Sequence, residues 1–144
     1  MENIGTSWQF WAVMAAVFAA LTAIFAKVGI ENIPSDFATF LRTLVVIVVL
    51  GAILLATKQY QPLNTISPKS AIFLILSGLA TGASWVCYFR ALKLGNASQV
   101  APVDKLSVVL VAVFGVLFLG EHLSTGGWIG VALVASGAVV MTIS

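Results

Sequence analysis

The stretch Phe37-Ala38-Thr39-Phe40-Leu41-Arg42-Thr43-Leu44-Val45-Val46-Ile47-Val48-Val49-Leu50-Gly51-Ala52-Ile53-Leu54-Leu55-Ala56-Thr57 decides the fold. About 20 predominantly apolar residues cross a bilayer as a helix, and this run meets that length with one charge, Arg42, inside it. In front of it, Pro34-Ser35-Asp36 supplies a proline break, a serine N-cap and an acidic first turn. A helix is therefore predicted from near Phe37 to about Thr57, which places Arg42 within the membrane.

Working outward, the runs Asn3 to Ala26, Ser70 to Phe89 and His122 to Ser144 contain no charge and reach spanning length unaided. Leu94 to Val103 and Leu106 to Gly120 reach it only when joined across Asp104 and Lys105. Gly95-Asn96-Ala97-Ser98 reads as a glycine helix end followed by a serine cap, so that helix is expected from Gln99 to Leu119, bent in its first turns by Pro102. Thr6 or Ser7 is the expected cap of span 1, Ser67-Pro68 opens span 3, and Ser124-Thr125-Gly126 opens span 5. The expected fold is an all-α integral membrane protein of five transmembrane helices, at about 7–29, 37–57, 70–94, 99–119 and 125–143, forming a single domain over residues 1–144. Glu121-His122 and the Gly126-Gly127 pair argue against spans 4 and 5 merging. Glu2 stands where a signal peptide would be basic and no small-residue cleavage pattern follows, so span 1 is expected to be retained.

Composition agrees with that map. Of the 144 residues 60% are apolar and 8% charged, with a mean hydropathy of +1.09, whereas soluble domains run at about 25% charged. A domain of this size cannot bury so much apolar surface in its own interior, so the excess must face lipid. A net charge of +2, scattered along the chain, gives no basic stripe for nucleic acid. One cysteine and one histidine make neither a metal site nor a disulfide, and Cys87, in an apolar stretch, is expected to be a packed thiol. No nucleophile, base and orienting group can be assembled from these residues, and no cofactor motif is present, so neither catalysis nor a cofactor is expected.

With an odd number of spans the termini lie on opposite sides. Lys58 and Lys69 fall on the N-terminal side, and Lys27, Arg90 and Lys93 on the other, which is a weak positive-inside bias. Small residues recur in Ser77-Gly78-Leu79-Ala80-Thr81-Gly82-Ala83-Ser84 and again at Gly126, Gly130, Ala132 and Ser136, the spacing that favours close helix contacts in lipid, within a chain or between chains.

The intramembrane charges are the candidate functional residues, because each costs about 2.5–3.5 kcal/mol on insertion scales and needs a partner, a wet cavity or a role. At a rise of about 1.5 Å per residue, Arg42 and Asp104 lie roughly 8 Å inside the same side of the bilayer, with Trp85 and Tyr88 at roughly 9 to 14 Å. The expected site is thus Arg42 paired with Asp104 beside an aromatic wall of Trp85 and Tyr88, whose faces suit an organic or cationic group. The competing reading is a purely scaffolding Arg42–Asp104 pair that holds spans 2 and 4 in register, with Trp85 and Tyr88 as packing or interface-belt aromatics. Asp104 and Lys105 are about 100° apart on a continuous helix, so Lys105 is expected to face elsewhere or to snorkel. Trp8, Trp11 and Trp128 are expected interface-belt residues, and Glu121 is expected to accept from the first turn of span 5.

The segments Tyr88-Phe89-Arg90-Ala91-Leu92-Lys93-Leu94-Gly95, Ala101-Pro102-Val103-Asp104-Lys105-Leu106-Ser107 and Leu117-Phe118-Leu119-Gly120-Glu121 resemble the EamA family of the drug/metabolite transporter superfamily. Arg42 early in span 2 and Gly127-Trp128-Ile129-Gly130 opening the last helix add to the likeness, which covers essentially the whole chain. Members commonly have ten helices as two five-helix repeats of opposite orientation and export amino acids and other metabolites. This chain is similar to the short five-span members, one half of an inverted-repeat transporter. The resemblance implies a multi-pass plasma-membrane exporter of a small-molecule substrate, surrounded by lipid, in which two copies pair antiparallel with dual topology and work by alternating access. Arg42, Trp85, Tyr88, Asp104 and Lys105 are the candidate substrate-binding or coupling residues, Asp104 being the candidate for a proton or cation. The alternative is a non-transporting or obligately heteromeric membrane subunit.

Overall fold

The computed structural model describes residues 7–143, so Glu2 and Thr6 lie outside the described residues. The elements are α1 (Trp8–Gly29), α2 (Ser35–Thr57), a short 3₁₀ turn (Leu63–Thr65), α3 (Pro68–Leu94), α4 (Ala97–Asp104), α5 (Ser107–Phe118) and α6 (Thr125–Ile143). Among the described residues five stretches are long and apolar enough to cross a membrane, α4 and α5 together making one of them. The protein is all-helical and multi-pass.

The helix starts follow two different devices. Ser7 Oγ accepts from the N–H of Phe10 at 3.3 Å, Ser67 Oγ from Ser70 at 3.1 Å, and Ser124 Oγ from Gly127 at 3.2 Å, so these three serines cap as predicted. Ser35 and Ser98 do not. Pro34, extended at ψ 136°, offers its carbonyl to the N–H of Ala38, and α2 begins at Ser35, two residues earlier than expected. Asn96 does the same for Val100, and α4 begins at Ala97. The carbonyls of Ser67 and Ser124 accept the same backbone bond, from Ala71 and Trp128, so α2 and α4 differ from the capped helices only in having no side-chain cap.

The chain forms two compact units, residues 28–93 and residues 1–27 with 94–144. In the first, the buried side chains Ile30, Ala38, Thr39, Phe89 and Leu92 all belong to one end, where the α1–α2 turn meets the start of α2 and the end of α3. Lys93 ties this end together. Its Nζ donates to the carbonyl of Ile30, to that of Glu31 at 2.8 Å and to that of Ile33 at 3.1 Å, satisfying turn carbonyls that no helix serves. In the second unit, α6 packs against α4 and α5. Lys27 Nζ donates to the Gly95 carbonyl at 2.7 Å. The turn after α5 uses Gly120 at φ +67°, a left-handed conformation that glycine adopts without steric cost. It lets the N–H of Glu121 reach back to the carbonyl of Gly115.

Three local expectations are corrected. Cys87 is exposed, not packed, because in a chain bathed in lipid an apolar neighbourhood does not mean an interior. Gly78 and Gly82 make no close helix contact within the chain, since a Cβ built on either would meet nothing within 4 Å, so only the within-chain form of that expectation is corrected. Glu121 does not serve the first turn of α6, where Ser124 accepts instead; its carboxylate lies over Gly115.

Lys93→Met should destabilise the protein by about 2 kcal/mol, the loss of charge-assisted hydrogen bonds to three turn carbonyls, one of them part-buried. Lys69→Met, at an exposed position, should change stability by less than about 0.5 kcal/mol. Unfolding titrations in mixed micelles measure both.

Candidate functional site

In the unit of residues 28–93, α2 and α3 border a groove of about 590 Å³. From α2 come Asp36, Thr39, Phe40 and Thr43, and from α3 Ser77, Gly78, Thr81, Gly82, Trp85 and Val86, with Leu74 at one end. Glycines at 78 and 82 leave the α3 wall recessed, which is the open space their missing side chains describe. The wall threonines turn their hydroxyls inward on their own helices, and Ser77 adds a fourth wall hydroxyl. Thr39 donates to the carbonyl of Ser35 at 2.9 Å, Thr43 to that of Thr39 at 2.7 Å, and Thr81 to that of Ser77 at 2.8 Å. This back-bonding to the carbonyl four residues earlier consumes each hydroxyl proton and leaves the oxygen as an acceptor.

Asp36, at the rim, is held by Arg90 in a two-pronged ion pair, Nε to Oδ1 at 2.9 Å and Nη2 to Oδ2 at 2.6 Å. Both side chains are exposed, so the pair's clear contribution is geometric, joining the first turn of α2 to the last turns of α3.

Arg42 makes a different arrangement. Its guanidinium carbon stands 4.2 Å from the centroid of the Trp85 ring and 5.4 Å from that of Phe89. Within this unit it has aromatic partners and no ion-pairing carboxylate. A desolvated cation over an indole gains about 2 kcal/mol, against an insertion cost of about 2.5–3.5 kcal/mol for an arginine at the helix centre, so the rings offset much of the cost of burial but not all of it. A ring contact does not by itself use up the five N–H donors of a guanidinium. Tyr88 meets Phe89 edge-on, with ring centroids 6.5 Å apart, and so backs the ring that faces Arg42.

Asp104 and Lys105 belong to the other unit. Asp104, half-buried, ends α4, and Lys105 Nζ lies 3.3 Å from its Oδ2. This corrects the expectation that the two side chains diverge. A separation of about 100° holds for a continuous helix, and the helix is not continuous here. The N–H groups of Leu106, Val108 and Val109 bond three residues back, to Val103, Lys105 and Leu106, so a tight turn joins α4 to α5. The predicted bend at Pro102 is accompanied by this joint three residues later.

Of the predicted site residues, the structure brings Arg42 and Trp85 together, with Tyr88 one ring away, and pairs Asp104 with Lys105. Arg42 and Asp104 fall in different units, each with a partner in its own. Phe89 and the Arg90–Asp36 pair were not predicted. Phe89 stands four residues after Trp85, on the same face of α3, which is the signal that would have found it. Asp36 and Arg90 occupy the facing ends of consecutive spans, a placement that antiparallel neighbours make by default.

Comparison with known proteins gives the same picture from outside. The EamA-like transporter family matches residues 6–143. A Sinorhizobium protein named as an uncharacterized transporter in the cobO 3′ region is 60% identical over 137 residues, covering 95% of this chain and 97% of its own. An uncharacterized protein of Methanocaldococcus jannaschii is 28% identical over 131 residues, covering 91% and 93%. No solved structure matches.

A double-mutant cycle of Arg42→Gln and Trp85→Leu should return a coupling of about 1–2 kcal/mol, and substituting Trp85→Phe for the leucine variant should lower it. Reversible unfolding in mixed micelles is the measurement; additive effects would mean the stacking is energetically idle.

Proposed function

The chain belongs to the EamA-like transporter family, and on that premise we propose that it exports a small metabolite or amino acid across the plasma membrane, as an antiparallel homodimer that alternates access between the two sides. Family membership and the name of the Sinorhizobium relative support transport over catalysis.

The observation that carries the dimer is length. The family match runs through five spans, and both relatives are of this single length, since the matches cover 97% and 93% of them. A double repeat is rebuilt from such chains by pairing two copies in opposite orientations. Charge supports the same reading. Lys27 and Lys93 are engaged by backbone carbonyls and Arg90 by Asp36, so the three cations of one side are tied to local structure, against Lys58 and Lys69 on the other. Neither orientation is strongly favoured by such a distribution.

Asp104 is the coupling group in this proposal. It stands where span 4 breaks into α4 and α5, and discontinuous helices are where secondary transporters hold coupling ions. Lys105 is its counter-ion at rest; a proton or cation arriving at Asp104 releases the lysine, so occupancy of the carboxylate is read by a second charge.

Two measurements test this. In proteoliposomes Asp104→Asn should remove the response of flux to an imposed ion or pH gradient; unchanged gradient-driven flux takes Asp104 out of the coupling role. In a Cys87→Ser background, single cysteines replacing Asn64 and Asn96 should each react, in part of the population, with a membrane-impermeant maleimide. Labelling of one position alone fixes a single orientation and turns the reading toward a different five-helix partner.

A further inference from the structure

We propose that Arg42 is an anion-binding group, its guanidinium edge taking the carboxylate of an amphipathic organic acid whose apolar body lies in the α2–α3 groove. This rests on the transporter reading above and adds to it the chemical class of the cargo.

Arg42 stands on α2, inside a membrane span. The charge is permanent, and the Trp85 and Phe89 rings, at 4.2 and 5.4 Å, engage the guanidinium through its π system. Within the unit the hydroxyls of Thr39 and Thr43 are bonded to carbonyls of their own helix, the carboxylate of Asp36 is taken by both prongs of Arg90, and the Tyr88 phenol is an electrostatic neighbour of the guanidinium. A guanidinium held against a ring, with its donors in a fork, matches a planar carboxylate in two parallel hydrogen bonds.

The groove supplies the rest of the recognition. Trp85 is common to both parts, lining the groove and carrying the cation. About 590 Å³ lies within the range of sites that hold small organic ligands. Its walls are apolar at Phe40, Leu74 and Val86 and recessed at Gly78 and Gly82, and its threonines present acceptor oxygens with no proton to spare for a carboxylate. Arg42 stands beside the groove, over the Trp85 ring that lines it, so a carboxylate bonded to the guanidinium leaves an alkyl or aryl tail within reach of that channel. A phosphate of an anionic lipid headgroup offers the same chemistry to the same fork, and the experiment separates the two sources.

The full chain, with Trp8, Trp11 and Trp128 replaced by phenylalanine so that Trp85 is the sole indole, is placed in nanodiscs of zwitterionic lipid and titrated with hexanoate, hexanamide and hexanol. Hexanoate should shift the Trp85 emission saturably, at least about tenfold tighter than the other two. Arg42→Gln should abolish that preference, and Arg42→Lys, which keeps the charge and loses the fork, should keep only part of it. Equal affinity for acid and amide in the arginine-containing protein overturns the proposal whatever the variants do. Repeating the titration with phosphatidylglycerol in the disc identifies the source: competition against hexanoate assigns the anion site to lipid headgroups, and no competition assigns it to the soluble acid. Flux of the membrane-impermeant hexanesulfonate separates this inference from its premise. Binding without flux of any solute sinks the transporter reading and leaves the site, and flux of other solutes without acid preference sinks the site alone.

Discussion

Hydrocarbon offers no partner to a polar group, so every donor and acceptor at bilayer depth must be satisfied from within the protein or by a wet cavity. This chain meets the demand locally. Thr22, Thr39, Thr43, Thr57, Thr81, Ser136 and Thr142 each return their hydroxyl to the carbonyl four residues back. Among the described residues no buried side-chain nitrogen or oxygen lacks a partner. The rule explains why the interior is so thin, with Ile30 and Leu92 its largest fully buried side chains. Helices that are self-sufficient in hydrogen bonds do not need one another for solvation, and lipid tails cover a leucine as well as a neighbouring helix does.

Against that background the charged residues stand out by what they are spent on. Lys27, Arg90 and Lys93 secure helix ends and turns; Asp104 and Lys105 sit at a joint between half-helices; Arg42 rests on aromatic faces. Arg42 is held by aromatic faces and by no carboxylate of its own unit, which is the physical reason for assigning it a ligand.

The five spans were legible in the sequence because the signal for each, an apolar run bounded by charges, is additive over some twenty positions and survives local irregularity. Boundaries were less so. Ser67 and Ser124 announced themselves as caps, while at Ser35 and Ser98 an equally good residue was bypassed and the helix begins from Pro34 and Asn96 with no side-chain cap. Within the site, counting residues from the helix ends was sufficient to align Arg42 with Trp85, since both positions depend only on rise per residue. The same arithmetic misplaced Lys105, because an angular argument accumulates error across a break that depth does not feel. The small residues at 78 and 82 show a further limit: their spacing declares what approach is sterically allowed, not which helix, ligand or lipid makes it.

Lys93 has a mechanical consequence. One ammonium holding three carbonyls of the α1–α2 turn makes that turn and the tail of α3 a single stiff corner, through which neither helix can pivot without breaking several bonds at once. Span 4 is built the opposite way, as two short rods meeting at a one-turn articulation. If the molecule bends during a cycle of work, the compliance is concentrated at that articulation, and the acid and base flanking it ride on the moving part.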